Sequence, residues 1–250
     1  MKLYNEFFDQ LPELVGKTQA QITDYRPGNA WPESSDYEMV LQRDMAFELG
    51  EDATSAVNYT CITTDSKYFE GDRVEVYGPD LKDIKGKAQY ARITLILSMD
   101  IESDDEDDTE TAFRAIQDMD FIKYHVYPKG FMVRTSGMNN REQIRVSKDA
   151  VKQGISFEKV GNTFIKHYKE NPNVRAGRII FITADDADYA SMKTAARKVS
   201  DITKSLSQIL EGMPTDCGSC GLKDICDEVE GLKELHFGQK DKKQEGQTNG

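Results

Sequence analysis

Apolar positions recur along the chain at two spacings, and the switches between them predict both helices and strands. Leu3, Phe7, Leu11 and Leu14 fall on roughly one face of a short amphipathic helix over residues 1–15. The stretch from Asp24 to Asp36 holds Pro27, Gly28 and Pro32 with two serines and reads as an irregular loop. From Tyr37 to Ile62 the pattern alternates: Met39, Leu41 and then Val57, Tyr59, Cys61 fit strands broken near Gly50-Glu51-Asp52. Arg73 to Tyr77 is a further strand, closed by Gly78-Pro79-Asp80, and Ala91 to Met99, with Ile93, Leu95 and Leu97, carries the strongest strand pattern.

The second half is mostly helical. Glu102 to Glu110 holds seven carboxylates, read as a solvated loop entering a helix over Thr111 to His125, where negative charge complements the helix dipole. A calcium site there would need EF-hand spacing and a central glycine, and neither occurs. Ser147 to Gln153 reads as a short helix capped by Ser147, and Phe157 to Lys169 as a second, ended by Asn171-Pro172. Arg178 to Thr183 is a buried strand. Asp185 to Leu210 is a long helix with Tyr189, Met192, Ala196, Val199, Ile202, Leu206 and Leu210 on one stripe, stopped by Met213-Pro214, with Asp185 and Asp186 as caps. Val229, Leu232 and Leu235 make one more short helical face, and the polar run Gly238 to Gly250 has nothing to bury.

The expected fold class is therefore α+β: a mixed β-sheet with packed helices and a small C-terminal Cys-rich metal-binding element. The expected division is an N-terminal helix and loop (1–36), an α+β domain (37–212), the cysteine element (213–237) and a disordered tail (238–250).

That cysteine element carries the clearest chemistry. Cys217, Cys220 and Cys226 stand in Cys-Gly-Ser-Cys-Gly-Leu-Lys-Asp-Ile-Cys, three of the four cysteines in ten residues. Packing asks for no such spacing, whereas thiolates that converge from a turning backbone are what an iron–sulfur cluster or a zinc ion requires. Gly218 and Gly221 let that backbone curl. His236, ten residues after Cys226, is a candidate further ligand, completing a Cys3His zinc site or capping a cluster. The competing reading is a surface cation at the end of a short helix. Cys61 is another candidate for the fourth corner, although its alternation with Tyr59 places it in a core strand.

Composition narrows the setting. The 250 residues carry a net charge of −12 with pI near 4.8, which disfavours nucleic acid because phosphate would be repelled. No apolar run is long enough to cross a bilayer, and the N-terminus, with Glu6, Asp9 and Glu13, lacks a signal core. Clustered thiols then suit a reducing cytoplasm better than a disulfide framework. His125 and His167 sit on apolar helix faces and read as satisfied, partly buried side chains rather than general bases. No Ser/His/Asp arrangement, P-loop or dinucleotide fingerprint is present.

A collinear series of short blocks adds to this reading. Phe47-Glu48-Leu49-Gly50, Asp72-Arg73-Val74-Glu75-Val76-Tyr77-Gly78-Pro79-Asp80, Arg145-Val146-Ser147-Lys148-Asp149-Ala150, Phe157-Glu158-Lys159-Val160-Gly161 and Phe181-Ile182-Thr183-Ala184-Asp185 precede the long helix and the cysteine motif. In order and separation this series resembles the acetyl-CoA synthase family, the β subunit of the carbon monoxide dehydrogenase/acetyl-CoA synthase (acetyl-CoA decarbonylase/synthase) complex, over roughly two thirds of the chain.

The resemblance implies an anaerobic one-carbon or acyl-CoA role and a [4Fe–4S] cluster on Cys217, Cys220 and Cys226, with Cys220 at the position that bridges to nickel. It tilts the metal from zinc towards iron–sulfur. The family uses a fourth cysteine and a separate Cys-Gly-Cys for a second nickel; neither follows Cys226 in these 250 residues, the Cys220–Cys226 spacer is shorter than the family's, and no counterpart of the large N-terminal domain is expected in them. A complete nickel site is thus not expected.

The resemblance also implies that the central domain receives coenzyme A or an acyl-CoA. Arg134, Arg141, Arg145 and Lys148, with Gly130 and Gly137, form the local excess of positive charge that would hold its phosphates; the alternative is a solvated helix end and loop. Met132 stands where the family tends to have tryptophan. The implied partner is a protein of a corrinoid, nickel or carbon monoxide dehydrogenase-type system. The role is acyl transfer or that of an accessory subunit. The competing function is a non-catalytic zinc- or cluster-stapled scaffold or maturation factor that docks on such enzymes.

Overall fold

A computed structural model describes residues 3–35, 38–50, 56–99, 106–137 and 139–210, with the backbone alone at 106–110, 112 and 207–210. Cys217, Cys220, Cys226 and His236, the Met213-Pro214 stop and the polar tail lie outside the described residues, as do Glu51-Asp52 and the opening of the acid run.

Two sheets organise the chain. Strands β1 (Gln21–Asp24), β4 (Arg73–Tyr77), β8 (Val174–Ile182), β5 (Tyr90–Ser98) and β3 (Ala56–Thr63) form a five-stranded sheet in the order β1-β4-β8-β5-β3. Its β4–β8 and β3–β5 pairs are parallel and its β1–β4 and β5–β8 pairs antiparallel, so the sheet is mixed as expected. Strands β2 (Met45–Leu49), β7 (Arg141–Ser147) and β6 (Phe131–Ser136) form an antiparallel three-stranded sheet. All residues of β3 and β5 are buried, including the polar Arg92, Thr94 and Ser98 of β5.

Helices α1 (Asn5–Leu14), α2 (Glu106–Phe121), α3 (Lys148–Lys152), α4 (Phe157–Glu170) and α5 (Tyr189–Leu210) complete the architecture. α4 packs across β4 and β8, close enough that an added Cβ on Gly161 would lie 2.6 Å from Val74 Cγ1. Phe157 stacks on Phe181 at 4.6 Å on this face. Alternation turns Tyr59 and Cys61 to the opposite face, where α1 and α5 pack on β3 and α2 on α5. Tyr4 meets Thr203 there at 3.2 Å. The small sheet lies over β3 and β5 beside α4, through β7. Among the described residues, no helix is long and apolar enough to cross a membrane.

Ser147 caps α3 as expected, accepting the Asp149 N–H, and Ser156 caps α4 in the same way through the Lys159 N–H. Gly78, at φ 106°, turns the chain after β4 against the Thr183–Ala184 backbone, where a side chain has no room. The Asp80 carboxylate that follows accepts the Phe157 N–H at 2.8 Å, tying the end of β4 to the start of α4.

Other expectations are corrected. Met39 and Leu41 are exposed and belong to no strand; β2 begins at Met45. The helix after the acid run starts at Glu106 rather than Thr111, since carboxylates are welcome in a first turn. α5 starts at Tyr189, and Asp188 caps it, accepting the Ser191 N–H at 2.9 Å. Asp186 instead accepts the Lys17 N–H at 2.9 Å and the Thr18 hydroxyl at 2.8 Å, fastening the chain after α1.

Candidate functional site

Of the basic residues singled out in the sequence, Arg134, Arg141 and Arg145 sit on two strands, and Lys148 is exposed at the start of α3. Phe131–Ser136 and Arg141–Ser147 are the two strands of a hairpin, with Met132 opposite Arg145, Arg134 opposite Gln143 and Ser136 opposite Arg141. Alternation therefore gathers Arg134, Arg141 and Arg145 on one face of the small sheet. Val133, Thr135, Glu142, Ile144 and Val146 take the other face, against the main sheet. Their burial alternates accordingly along β7.

Each cation has a distinct setting. Arg134 is exposed. Arg141 donates to the Gly50 carbonyl at 3.2 Å. Arg145 faces Glu48, its register partner on β2, at 3.5 Å. Lys148 opens α3 rather than lying on the sheet, and its ammonium reaches the Arg43 carbonyl at 3.0 Å. Met132 shares the arginine face and is buried. Gly130, at φ 71°, serves the packing of α3: an added Cβ would stand 2.8 Å from Ala150.

Beside this face runs a groove of about 340 Å³ between β6 and the segment that follows α2. Lys123, Tyr124 and Tyr127 line one side, and Val133, Arg134 and Thr135 the other. Lys123 is held by Asp120 at 2.6 Å, with its ammonium 5.2 Å from the centre of the Tyr124 ring. Arg134 thus belongs to both groove and basic face. The sequence reading passed over Lys123 and Tyr127, although the Lys-Tyr-His-Val-Tyr run was the available signal.

Behind the basic face lies a polar cluster that the sequence did not announce. Glu142 accepts from Tyr90 at 2.9 Å, from Arg92 Nε at 2.9 Å and Nη2 at 2.6 Å, and from Asn58. Burial opposes the Arg92 charge, and Glu142 more than offsets it, leaving the guanidinium pKa above its ordinary value. Burial, with the Glu142 charge adding to it, pushes the Tyr90 hydroxyl well above its ordinary value.

Cys61 is fully buried on β3, and burial raises its thiol pKa well above the ordinary value. His167 is satisfied by Glu33 at 2.7 Å as expected, whereas His125, expected partly buried on a helix face, lies beyond the end of α2 and is exposed, its ring 4.4 Å from that of Phe121. Among the described residues no three His, Cys, Asp or Glu side chains are placed to hold a metal ion.

Comparison with known proteins places this geometry in a family. The chain is 27% identical over 200 residues to the carbon monoxide dehydrogenase/acetyl-CoA synthase subunit alpha of Moorella thermoacetica, which covers 77% of this chain and 26% of that protein. It thus spans about a quarter of the length of that relative. The family described as the CO dehydrogenase/acetyl-CoA synthase complex beta subunit matches residues 33–187, from the loop before β2 to the turn before α5. That stretch contains both strands of the arginine hairpin, the buried cluster beneath it and the α4 cap, and the chain belongs to this family.

Proposed function

We propose that the chain is an acetyl-CoA-synthase-like iron–sulfur protein of anaerobic one-carbon and acyl-CoA metabolism. On this reading the outer face of the small sheet receives the phosphates of coenzyme A or an acyl-CoA through Arg134, Arg141 and Arg145, with Lys148 nearby. Cys217, Cys220 and Cys226 hold a [4Fe–4S] cluster in a C-terminal element over residues 213–237, with His236 as a candidate further ligand. The observation that carries the reading is the collection of three arginines on one sheet face of a protein with net charge −12. An acidic surface repels phosphates unless cations are gathered locally, and the guanidinium fork suits a phosphate better than an ammonium does.

The donor set supports the cluster: three thiolates at close spacing match iron–sulfur chemistry better than a closed structural zinc site, which takes four protein ligands. Membership of a family that forms part of an enzyme complex supports a protein partner from a corrinoid, nickel or carbon monoxide dehydrogenase-type system.

Calorimetric titration with coenzyme A tests the phosphate site. Arg134→Ala is expected to raise the Kd about 10-fold, as loss of a charge-assisted hydrogen bond does, and added salt to weaken binding further. Equal affinity of the variant and the native chain at all salt concentrations would remove the site.

A second reading draws on the partners already present. Arg141, Arg145 and Lys148 each contact a group of the protein itself, which favours a structural role for those cations. The chain is then a zinc- or cluster-stapled scaffold or maturation factor that docks on corrinoid or nickel enzymes. Bound zinc together with no coenzyme A binding would select it.

A further inference from the structure

The main-sheet face beneath α4 carries more polar atoms than the Arg92–Glu142 pair uses. Asn58 and Arg92 are register partners on β3 and β5, and so are Thr60 and Thr94 one pleat on. Alternation puts all four on one face. Over them lies α4, with the Phe164 ring centre 4.0 Å from the Arg92 guanidinium and Tyr168 one turn further along. None of these five polar side chains is more than 2% exposed. Yet, among the described residues, Asn58 Oδ1, Thr60 Oγ1, Arg92 Nη1, Thr94 Oγ1 and Tyr168 Oη have no well-formed hydrogen bond.

The Tyr168 hydroxyl lies near those of Thr94 and Thr60 and feels the Arg92 charge, but none of the three hydroxyls completes a well-formed hydrogen bond among the described residues. Buried polar atoms left unpaired carry a desolvation penalty that native structures avoid. Hydroxyls turned towards one another without a well-formed hydrogen bond, beside a guanidinium N–H that lacks an acceptor, are disposed to be bridged.

We infer that Thr60, Thr94, Tyr168 and Arg92 Nη1 form an internal water-binding site, taking roughly one or two molecules. Water accepts from Arg92 Nη1 and exchanges hydrogen bonds with the three hydroxyls. Charge selects water over an anion, because Glu142 already neutralises Arg92. It also disfavours a metal cation, because the one carboxylate of the cluster is spent on its own donors. The bridged water ties α4 to β3 and β5 by hydrogen bonds, while the neighbouring turn at Gly161 packs closely on β4 and β8.

Thermal unfolding of Thr94→Val and Tyr168→Phe in the full chain gives opposite signs for a hydrated and a dry site. Water bonded there makes each substitution break a bridge, with Tm falling by about 2–4 °C. A dry cluster makes each substitution remove an orphaned hydroxyl, with Tm unchanged or raised; that result overturns the inference. A high-resolution crystal structure is the independent readout, with density expected within hydrogen-bond reach of the three hydroxyls. An anomalous peak at that position in bromide-soaked crystals would replace water by an anion and likewise overturn it.

Discussion

Arg92 and Glu142 meet as a two-pronged ion pair, 2.9 and 2.6 Å, at the contact between the two sheets, with both side chains fully buried. Arg92 stands in β5, whose residues are all buried, and Glu142 on the inner face of the hairpin that presents the arginines. The pair therefore fixes where the basic face sits on the main sheet.

Removing one partner leaves the other charge buried and uncompensated. Glu142→Leu should cost about 3–5 kcal/mol in urea unfolding, and Arg92→Leu combined with Glu142→Leu should be less destabilised than Glu142→Leu alone. A double variant at least as unstable as the sum of the single ones would show that the pair is not coupled.

This pair also explains what the sequence concealed. Helix α4 was legible nearly to the residue, because Asn171-Pro172 stops a helix wherever it falls and the span Phe157 to Lys169 ends one residue short of Glu170. The hairpin was not, because Thr135 and Glu142 occupy inward positions of β6 and β7 and break the two-residue apolar alternation. Their partners come from β3 and β5, distant in sequence, so no local window reveals them. Strand β1 escaped for another reason: it has four residues, none buried, and holds its place through pairing with β4. At the site, the residue types of the basic cluster were readable, but the shared face depended on the hairpin.

Gly161 sets how closely α4 approaches the sheet. Alanine there improves helix propensity by about 1 kcal/mol, yet its Cβ would stand 2.6 Å from Val74 and 3.2 Å from Phe181. Overpacking should dominate, for a net loss of about 1–3 kcal/mol in chemical denaturation. Adding Val74→Ala should recover part of that loss; no recovery would place the strain elsewhere.

Two aspartates that cap helices respond to pH with opposite signs. Hydrogen bonds from the Ser191 N–H and hydroxyl hold Asp188 below its ordinary value of 3.8, so its stabilisation is present above 3.8 and is lost as pH falls through the depressed value. Burial raises Asp80 above 3.8 despite the Phe157 and Leu81 N–H groups, so its contribution is full below 3.8 and is lost as pH rises through the raised value. Relative to the native chain, Asp188→Asn should lose less stability in acid than at neutrality. Asp80→Asn should show the reverse slope in the same Tm-versus-pH series.

Cys61 should behave as a core atom. In the folded chain, iodoacetamide should leave it unlabelled until denaturant is added, as mass spectrometry of tryptic peptides would show, because neither access nor a thiolate is available. Cys61→Ala should leave metal content unchanged; a loss of iron in that variant would make it a ligand.

The most direct measurement is iron, sulfide, zinc and nickel content of the anaerobically purified chain, beside its Cys220→Ala variant. About four irons with matching sulfide, a broad absorption near 400 nm that air destroys, and loss of both in the variant are the expected result. A metal-free native chain, or one colourless zinc per chain, would contradict the iron–sulfur reading.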